Sequence, residues 1–475
     1  MKTKLQCILI GYPGEQSAQQ HLNQLIKMEY KIDISFTSTF YARNLMEVGI
    51  ASTYLDHYDI SYDYVLQYRY EKERFMDILS KQPDYAAIFT RYFTNIHQII
   101  EVIRIIKKHS PDTKVIFGGA FLVNVIENLN KRESEKIFEL IDADYYINKI
   151  ECYQQICDVI LASSSNELNN ISGLTYKLSE SHRYTNVMKQ HQMNVLPVDW
   201  TRFSDSMGTV SALRTKISCP FSCSFCSVKN KELPFNSIDL KTVQSELEKI
   251  AIIQRTKLIN FTDETINLPK NKFKIFLRML CEMRLGIKWY AFLRCEYVDY
   301  ELVSLMKESG CIAVLLGLES GNQDILDRMN KQTIPSRNIE GIQLLKQFDI
   351  KLVTFFIVGF PTETRETLED TVRFIKKIQP DFYKLNVWEC DYNTKIWSER
   401  DKYQLKYNKY TWKHSTMTEA EAKENIKQMH QKISCSIDIS NFDYSFALQM
   451  LVNGLSKNEI IHCLVNQKIR GEIYE

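Results

Sequence analysis

The stretch "ISCPFSCSFCSVKN", residues 217–230, sets Cys219, Cys223 and Cys226 with three and then two residues between them. Thiols this close converge on one centre only if the loop wraps it. Structural zinc takes four ligands, usually as two separated pairs. No second Cys/His pair of that spacing follows, and the later histidines lie far along the chain. A [4Fe–4S] cluster held by three cysteines leaves one iron open to a small ligand, which suits catalysis better than electron carriage. Spacing alone therefore favours iron–sulfur and leaves zinc as the alternative. The chain has 12 cysteines in 475 residues and no secretion signal, so reduced thiols are expected. Cys7, Cys152, Cys157, Cys281, Cys311, Cys390, Cys435 and Cys463 sit in apolar or amphipathic contexts, as small buried hydrophobes do.

Around the trio runs an alternating series. Strands are predicted at 209–218, 257–264, 288–295, 312–319, 351–360 and 381–389, with helices between them, such as 300–309 ended by Gly310. Six βα units within 208–395 suit a partial parallel barrel, whose chemistry lies at the carboxyl ends of its strands. The cysteines follow its first strand. Upstream, residues 1–165 alternate strands (4–12, 84–90, 114–120, 144–149) with helices (about 15–28, 96–109, 151–163), the pattern of a doubly wound parallel sheet. The tyrosine-rich segment 40–74 has no clear assignment. Residues 166–207 read as a linker containing one short strand, "ISGLTYK". Residues 396–475 read as a helical cap, its main helix starting near Thr418 with Thr416 or Thr418 as N-cap.

A net charge of +2 without a basic stripe argues against nucleic acid. No apolar run approaches the ~18 residues of a membrane span. The short apolar run at the N-terminus lacks a cleavage site, so a cytoplasmic location is expected.

Cys-x3-Cys-x2-Cys with Phe225 before the third cysteine, after the first strand of a six-stranded partial barrel, resembles the radical S-adenosylmethionine (SAM) superfamily. The resemblance implies that Cys219, Cys223 and Cys226 ligate three irons of a [4Fe–4S] cluster. It implies that the amino and carboxylate groups of SAM chelate the fourth iron. It further implies an electron donor such as flavodoxin or ferredoxin, and reductive cleavage of SAM to a 5′-deoxyadenosyl radical. Other strand-end motifs match in order. "NFTDET" places Asp263 and Glu264 toward the SAM methionine, and "FLRCE" places Arg294 as partner of its carboxylate. "GLESG" offers Glu319 and Ser320 to the cofactor's polar groups, and "VGFPTET" offers Gly359 for close backbone approach.

The N-terminal series resembles the cobalamin-binding domain of one radical SAM subclass. "DYAAIFTRYFTNIHQIIEVIRIIKKHSPDTKVIFGGA" is similar to that domain's middle. "DADYYINKIECYQQI" is similar to a diverged copy of its ending, with Asn148, Lys149 and Ile150 in place of a glycine-containing run. The Asp-x-His-x-x-Gly motif that ligates cobalt is replaced by "GYPGEQ". That departure implies either base-off cobalamin without a histidine ligand or a domain that has lost the cofactor. His21 and His57 read as surface or packing residues. Tyr12, Pro13, Thr90, Arg91, Gly118 and Gly119 are the positional candidates for cobalamin contacts. If cobalamin binds, the implied reaction is methyl transfer to an unactivated carbon or phosphorus of a natural product or peptide. "YTWKHSTM" (410–417) resembles the closing region of natural-product methylases of this subclass, including phosphinate P-methyltransferases, so Trp412 and His414 either line the substrate cavity or pack the cap. Two alternatives stay open. One is a non-methylating radical SAM enzyme, an epimerase or ring-former, with a vestigial cobalamin domain and with Cys311 or Cys390 as candidate hydrogen-atom donors. The other is a cobalamin- or redox-sensing binding protein, for which no partner surface or DNA-reading motif is evident.

Overall fold

A computed structural model describes residues 4–11, 39–89, 96–127, 129–178, 181–186, 195–227, 235–408 and 411–471. They form two compact units, one holding the first strand with Phe40–Met207 and the other holding Gly208–Glu475.

In the first unit, β1 (Cys7–Ile10), β2 (Tyr62–Val65), β3 (Tyr85–Phe89), β4 (Lys114–Gly118), β5 (Tyr145–Ile147), β6 (Leu174–Leu178) and β7 (Ser181–Tyr184) build one sheet. Its order is β2-β1-β3-β4-β5-β6-β7. Neighbours from β2 to β5 pair in parallel, while β6 and β7 pair antiparallel. Every residue of β1 is buried, as expected where a parallel sheet is covered on both faces. Helix Ile96–His109 buries Ile99, Ile100, Val102, Ile103 and Ile106, the stripe that spacings of three and four residues produce. Strand order reverses between β1 and β3, and a doubly wound sheet opens its ligand crevice at such a point.

In the second unit the strands are β8 (Val210–Leu213), β9 (Lys216–Ile217), β10 (Asn236–Ser237), β11 (Leu258–Phe261), β12 (Lys288–Phe292), β13 (Cys311–Glu319), β14 (Lys351–Val358), β15 (Phe382–Val387), β16 (Lys406–Asn408), β17 (Thr411–Lys413) and β18 (Ile437–Asp438). The main sheet runs β18-β15-β14-β13-β12-β11-β8, with every pairing parallel. Parallel neighbours in chain order put all the carboxyl ends on one edge, so each βα loop reaches the same place. Helices cover one face: Phe261 meets Phe276, and Phe356 meets Phe374.

Four expectations change in detail. Segment 40–74 contains helix Thr39–His57 and strand β2. The strand expected at 209–218 breaks into β8 and β9, and β9 pairs antiparallel with β10, apart from the main sheet. The break follows from chemistry: the amides of Thr215 and Lys216 donate to the Asp263 carboxylate. The stretch read as a linker supplies β6 and β7 of the first sheet. The tail is not purely helical, since β16 and β17 form a hairpin and β18 extends the barrel sheet. Its main helix, Glu419–Lys432, starts at Thr418, which forms a capping box with Glu421.

Helix Pro335–Gln347 presses against the turn after β12 through Gly341, where a Cβ would lie 2.0 Å from the Cys295 carbonyl oxygen. Gly341→Ala must displace backbone, and overpacking of this kind costs about 1–3 kcal/mol. The expected outcome is a lowered urea midpoint with unchanged m-value.

Candidate active site

The cysteine loop is tied down at both ends. At its start, Asp263, just beyond β11, accepts hydrogen bonds from Thr215 N–H (2.8 Å), Thr215 Oγ1 (2.6 Å) and Lys216 N–H (2.8 Å). Ser218 then turns the chain at φ +65°. Further on, Ser224 donates from N to the Met329 carbonyl (2.8 Å) and from Oγ to the Arg328 carbonyl (2.8 Å). Asn330 Nδ2 donates to the Ser222 carbonyl (2.8 Å), and Ile396 N–H donates to the Ser224 carbonyl (3.2 Å). Cys219, Cys223 and Cys226 are free thiols of intermediate exposure on this loop, and the Cys226 amide donates to the Cys223 carbonyl at 3.3 Å. Burial, assisted by the charge of Glu264, pushes the Cys219 thiol up.

Two cations flank the loop. The Arg294 guanidinium lies 3.9 Å from the centroid of the Phe221 ring; it is paired with Glu296 at 2.6 Å and also donates to the Lys331 carbonyl. Lys331 Nζ lies 2.9 Å from Glu319 Oε1, both side chains being 11% exposed, and 5.9 Å from the Phe225 ring centroid. Burial presses the Lys331 ammonium toward neutrality, but Glu319 and Cys223 outweigh it and hold its pKa above the ordinary lysine value. This donor set fits a [4Fe–4S] cluster: three accessible thiols on one anchored loop, with fixed positive charge beside them to offset the anionic thiolates. Among the described residues no three Cys, His, Asp or Glu side chains gather around a single-ion position.

The strand-end residues singled out from sequence stand on the same edge, and several already have protein partners. Asp263 braces the loop. Arg294 and Glu319 are paired as described, with Glu319 at φ +64°. Ser320 is fully buried, 3.3 Å from Thr371 Oγ1, and accepts from Asn322 N–H at 3.1 Å. Gly359, at φ +90°, lies under the Trp412 ring, where a Cβ would come within 2.5 Å; a side chain is excluded by both space and backbone. Trp412 stacks on His414 (5.1 Å, 6°) and meets Trp388 edge-on (5.2 Å). His414 Nε2 bonds the Gly359 carbonyl at 3.0 Å, which fixes the proton on Nε2. Burial lowers the His414 pKa. Both residues therefore clamp the end of β14. Trp412 also lines a cavity of about 550 Å³ at the carboxyl end of β15, where Trp388, Tyr392 and Tyr407 stand beside three carboxylates, Glu389, Asp391 and Glu419. Burial pushes the Cys390 thiol up to about 12. Cys311 is buried in its strand, its thiol directed to the Ala313 carbonyl. A larger cavity, about 700 Å³, opens at the amino ends of β11 to β14 beside Lys257, Lys288 and Lys351, the opposite end from the cysteines.

In the first unit, Gly118 ends β4 and Gly119 follows at φ +107°. A Cβ on Gly118 would stand 3.1 Å from Cys152 Sγ, so the glycine also serves packing. Tyr12, Pro13, Thr90, Arg91 and His21 lie outside the described residues. In sequence the first four follow β1 and β3, the two strands that border the order reversal. His57 ends helix Thr39–His57, edge-on to Tyr58.

Residues 217–375 match the radical SAM superfamily. The chain carries a radical SAM domain. Such a domain implies a [4Fe–4S] cluster and SAM as cofactors, with Cys219, Cys223 and Cys226 in the matched segment. Among curated proteins, an uncharacterized methyltransferase of Pyrococcus horikoshii is 28% identical over 329 residues, covering 66% of this chain and 69% of that protein. The anaerobic magnesium-protoporphyrin IX monomethyl ester cyclase of Cereibacter sphaeroides is 33% identical over 200 residues; the match covers 41% of this chain and only 33% of the cyclase. Among solved structures, the radical SAM methyltransferase TsrM from Kitasatospora setae, with cobalamin and a [4Fe-4S] cluster bound, superposes with a TM-score of 0.65 at 14% identity. The superposition covers 84% of this chain and 78% of TsrM, a likeness of fold. No described helix is long and apolar enough to cross a membrane.

Lys331, Asn330 and Glu363 were not found by sequence reasoning. Glu363 is fully buried and accepts the Gly359 N–H at 2.6 Å, while its other oxygen has no partner among the described residues. Burial pushes its carboxyl up to about 8 from an ordinary 4.5. The fold therefore binds one more proton than the unfolded chain between those values, and this contribution is lost as pH rises through about 8. Glu363→Gln is expected to flatten this decline, at most ~1.4 kcal/mol per pH unit, in urea denaturation followed from pH 5 to 9.

Proposed function

We propose that this chain is a cobalamin-dependent radical SAM methyltransferase acting on an unactivated carbon or phosphorus of a small molecule or peptide. The observation that carries the reading is the joining, in one chain, of a β2-β1-β3-β4-β5 parallel sheet to the radical SAM sheet. The likeness to TsrM runs over both, and the Pyrococcus relative bears a methyltransferase name. In this reading Cys219, Cys223 and Cys226 hold the cluster. Asp263, Glu264, Arg294, Glu319, Ser320 and Gly359 form the strand-end rim against SAM, either directly or by bracing the loop. The crevice beyond β1, β3 and β4 takes cobalamin, without a histidine on cobalt. When bound, the cluster supplies the electron that splits the SAM sulfonium bond, and cobalamin supplies the methyl carrier. An external reductant, such as flavodoxin or ferredoxin, supplies that electron in turn.

The likeness to a cyclase supports a second reading: a ring-forming radical SAM enzyme whose first unit holds no corrinoid. Anaerobic reconstitution with iron, sulfide and hydroxocobalamin separates the two. Iron and cobalt in a ratio of about four to one, no histidine nitrogen on cobalt, and passage of labelled SAM methyl to the protein-bound corrinoid are expected. Iron without cobalt favours the second reading. Cys226→Ala is expected to lose most of its iron and all SAM cleavage.

A further inference from the structure

The cavity at the carboxyl end of β15 contains none of the residues set against the cluster, SAM or cobalamin. Its wall is aromatic. Trp388 and Trp412 meet edge-on with ring centres 5.2 Å apart, and Tyr392 meets Tyr407 at 5.4 Å and 81°. The two tryptophans are buried, Tyr407 is half-buried and Tyr392 is exposed, so the wall runs from the interior to the surface. Both of its sides are fixed to loops at the carboxyl edge of the barrel. Trp412 stacks on His414, which bonds the Gly359 carbonyl. The Asp391 carbonyl accepts from Thr394 Oγ1 at 2.7 Å, and two residues on, the Ile396 amide holds the carbonyl of Ser224, between Cys223 and Cys226. One end of the cavity is thus tied to the cysteine loop.

The charge on this wall is of one sign. Glu389, Asp391 and Glu419 line the cavity, and no lysine, arginine or histidine does. Glu419 pairs with Lys423 at 2.6 Å. The Asp391 carboxylate accepts the Asn393 N–H at 2.8 Å, and neither it nor Glu389 has a cationic partner among the described residues. Burial raises the Tyr407 phenol, and Glu419 and Glu389 raise it further; burial also raises the Cys390 thiol, with Asp391 acting the same way. Phenol and thiol stay uncharged, and the carboxylates set the potential. Among the described residues no three acids converge on one point, so a small metal ion finds too few ligands here. A larger cation does not need them. The face of an aromatic ring attracts positive charge, and an alkylated ammonium buries its apolar groups against the same rings while the carboxylates balance its charge.

We infer that this cavity receives a positively charged amine of the substrate, with Trp388, Tyr392 and Tyr407 against its alkyl groups and Glu389 and Asp391 against its charge. The inference rests on the methyltransferase reading and narrows its substrate to an amine-bearing compound held next to the cysteine loop.

The test is isothermal titration of the full-length protein, reconstituted with iron, sulfide and hydroxocobalamin. The probes are choline and its uncharged isostere 3,3-dimethylbutan-1-ol, at ionic strength matched with sodium chloride. Choline should bind saturably and about tenfold more tightly than the alcohol. Glu389→Gln and Asp391→Asn should each weaken choline about threefold or more and leave the alcohol unchanged, since each removes a charge and keeps the shape. Tyr407→Leu should weaken choline as well. Absence of choline binding, equal binding of the alcohol, or full choline affinity in both carboxamide variants overturns the inference. Saturating SAM should leave choline affinity unchanged; displacement by SAM assigns the cavity to the cofactor and also overturns it. If Asp391→Asn folds poorly, Glu389→Gln decides, because that residue is exposed. Iron and cobalt are measured on the same preparation. Missing cobalt fails the methyltransferase reading whatever choline does, and a loaded protein that ignores choline fails this inference alone.

Discussion

Three hydrogen bonds to one carboxylate decide how the cysteine loop leaves the sheet. Asp263 takes up two backbone amides and a hydroxyl from Thr215 and Lys216, and those amides are then unavailable for strand pairing with β11. The first barrel strand ends, and the chain departs toward the cysteines from a fixed point. Asp263 is itself fixed because it follows β11, which pairs with β8 in register from Leu258 to Phe261. The carboxylate thus converts the regularity of the sheet into the placement of three flexible thiols. Residues 218–227 form little regular structure of their own, so their placement depends on such restraint.

Charge near the loop follows a related logic. Arg294 and Lys331 come from different βα connections, each beside a carboxylate, Glu296 and Glu319 respectively. Paired cations can be held in a half-buried site at lower cost than isolated ones. Both lie over aromatic rings of the cysteine loop, so Phe221 and Phe225 dock the loop onto the cations by contact as well as by charge.

Much of this was legible in the sequence. Strands such as β1 and β3 are continuous apolar runs, helices such as Ile96–His109 are striped, and the cysteine spacing is specific. Other parts were not. Helix Thr39–His57 is buried from Ala42 to Leu55 apart from one position, so it shows no stripe for periodicity to detect. Strand β18 has two residues, too few for any pattern. Lys331 sits in an unremarkable turn, and its meaning depends on Phe225 and Glu319, which only the fold brings near. Trp412 and His414 were marked from a tail motif; their joint hold on Gly359 becomes visible only when the β16–β17 hairpin is placed against β14.

The alternation along β14 and β15 has an evolutionary reading. Phe356, Val358 and Leu385 are buried on the helix-covered side, while Phe355, Ile357, Lys384 and Asn386 on the opposite face are half-buried, Phe355 lying 5.8 Å from the Tyr444 ring. Truncating a half-buried side chain removes less buried apolar surface than truncating Phe356, Val358 or Leu385. Such a sheet can vary along one face while the other keeps the strands, and the loops they carry, in place.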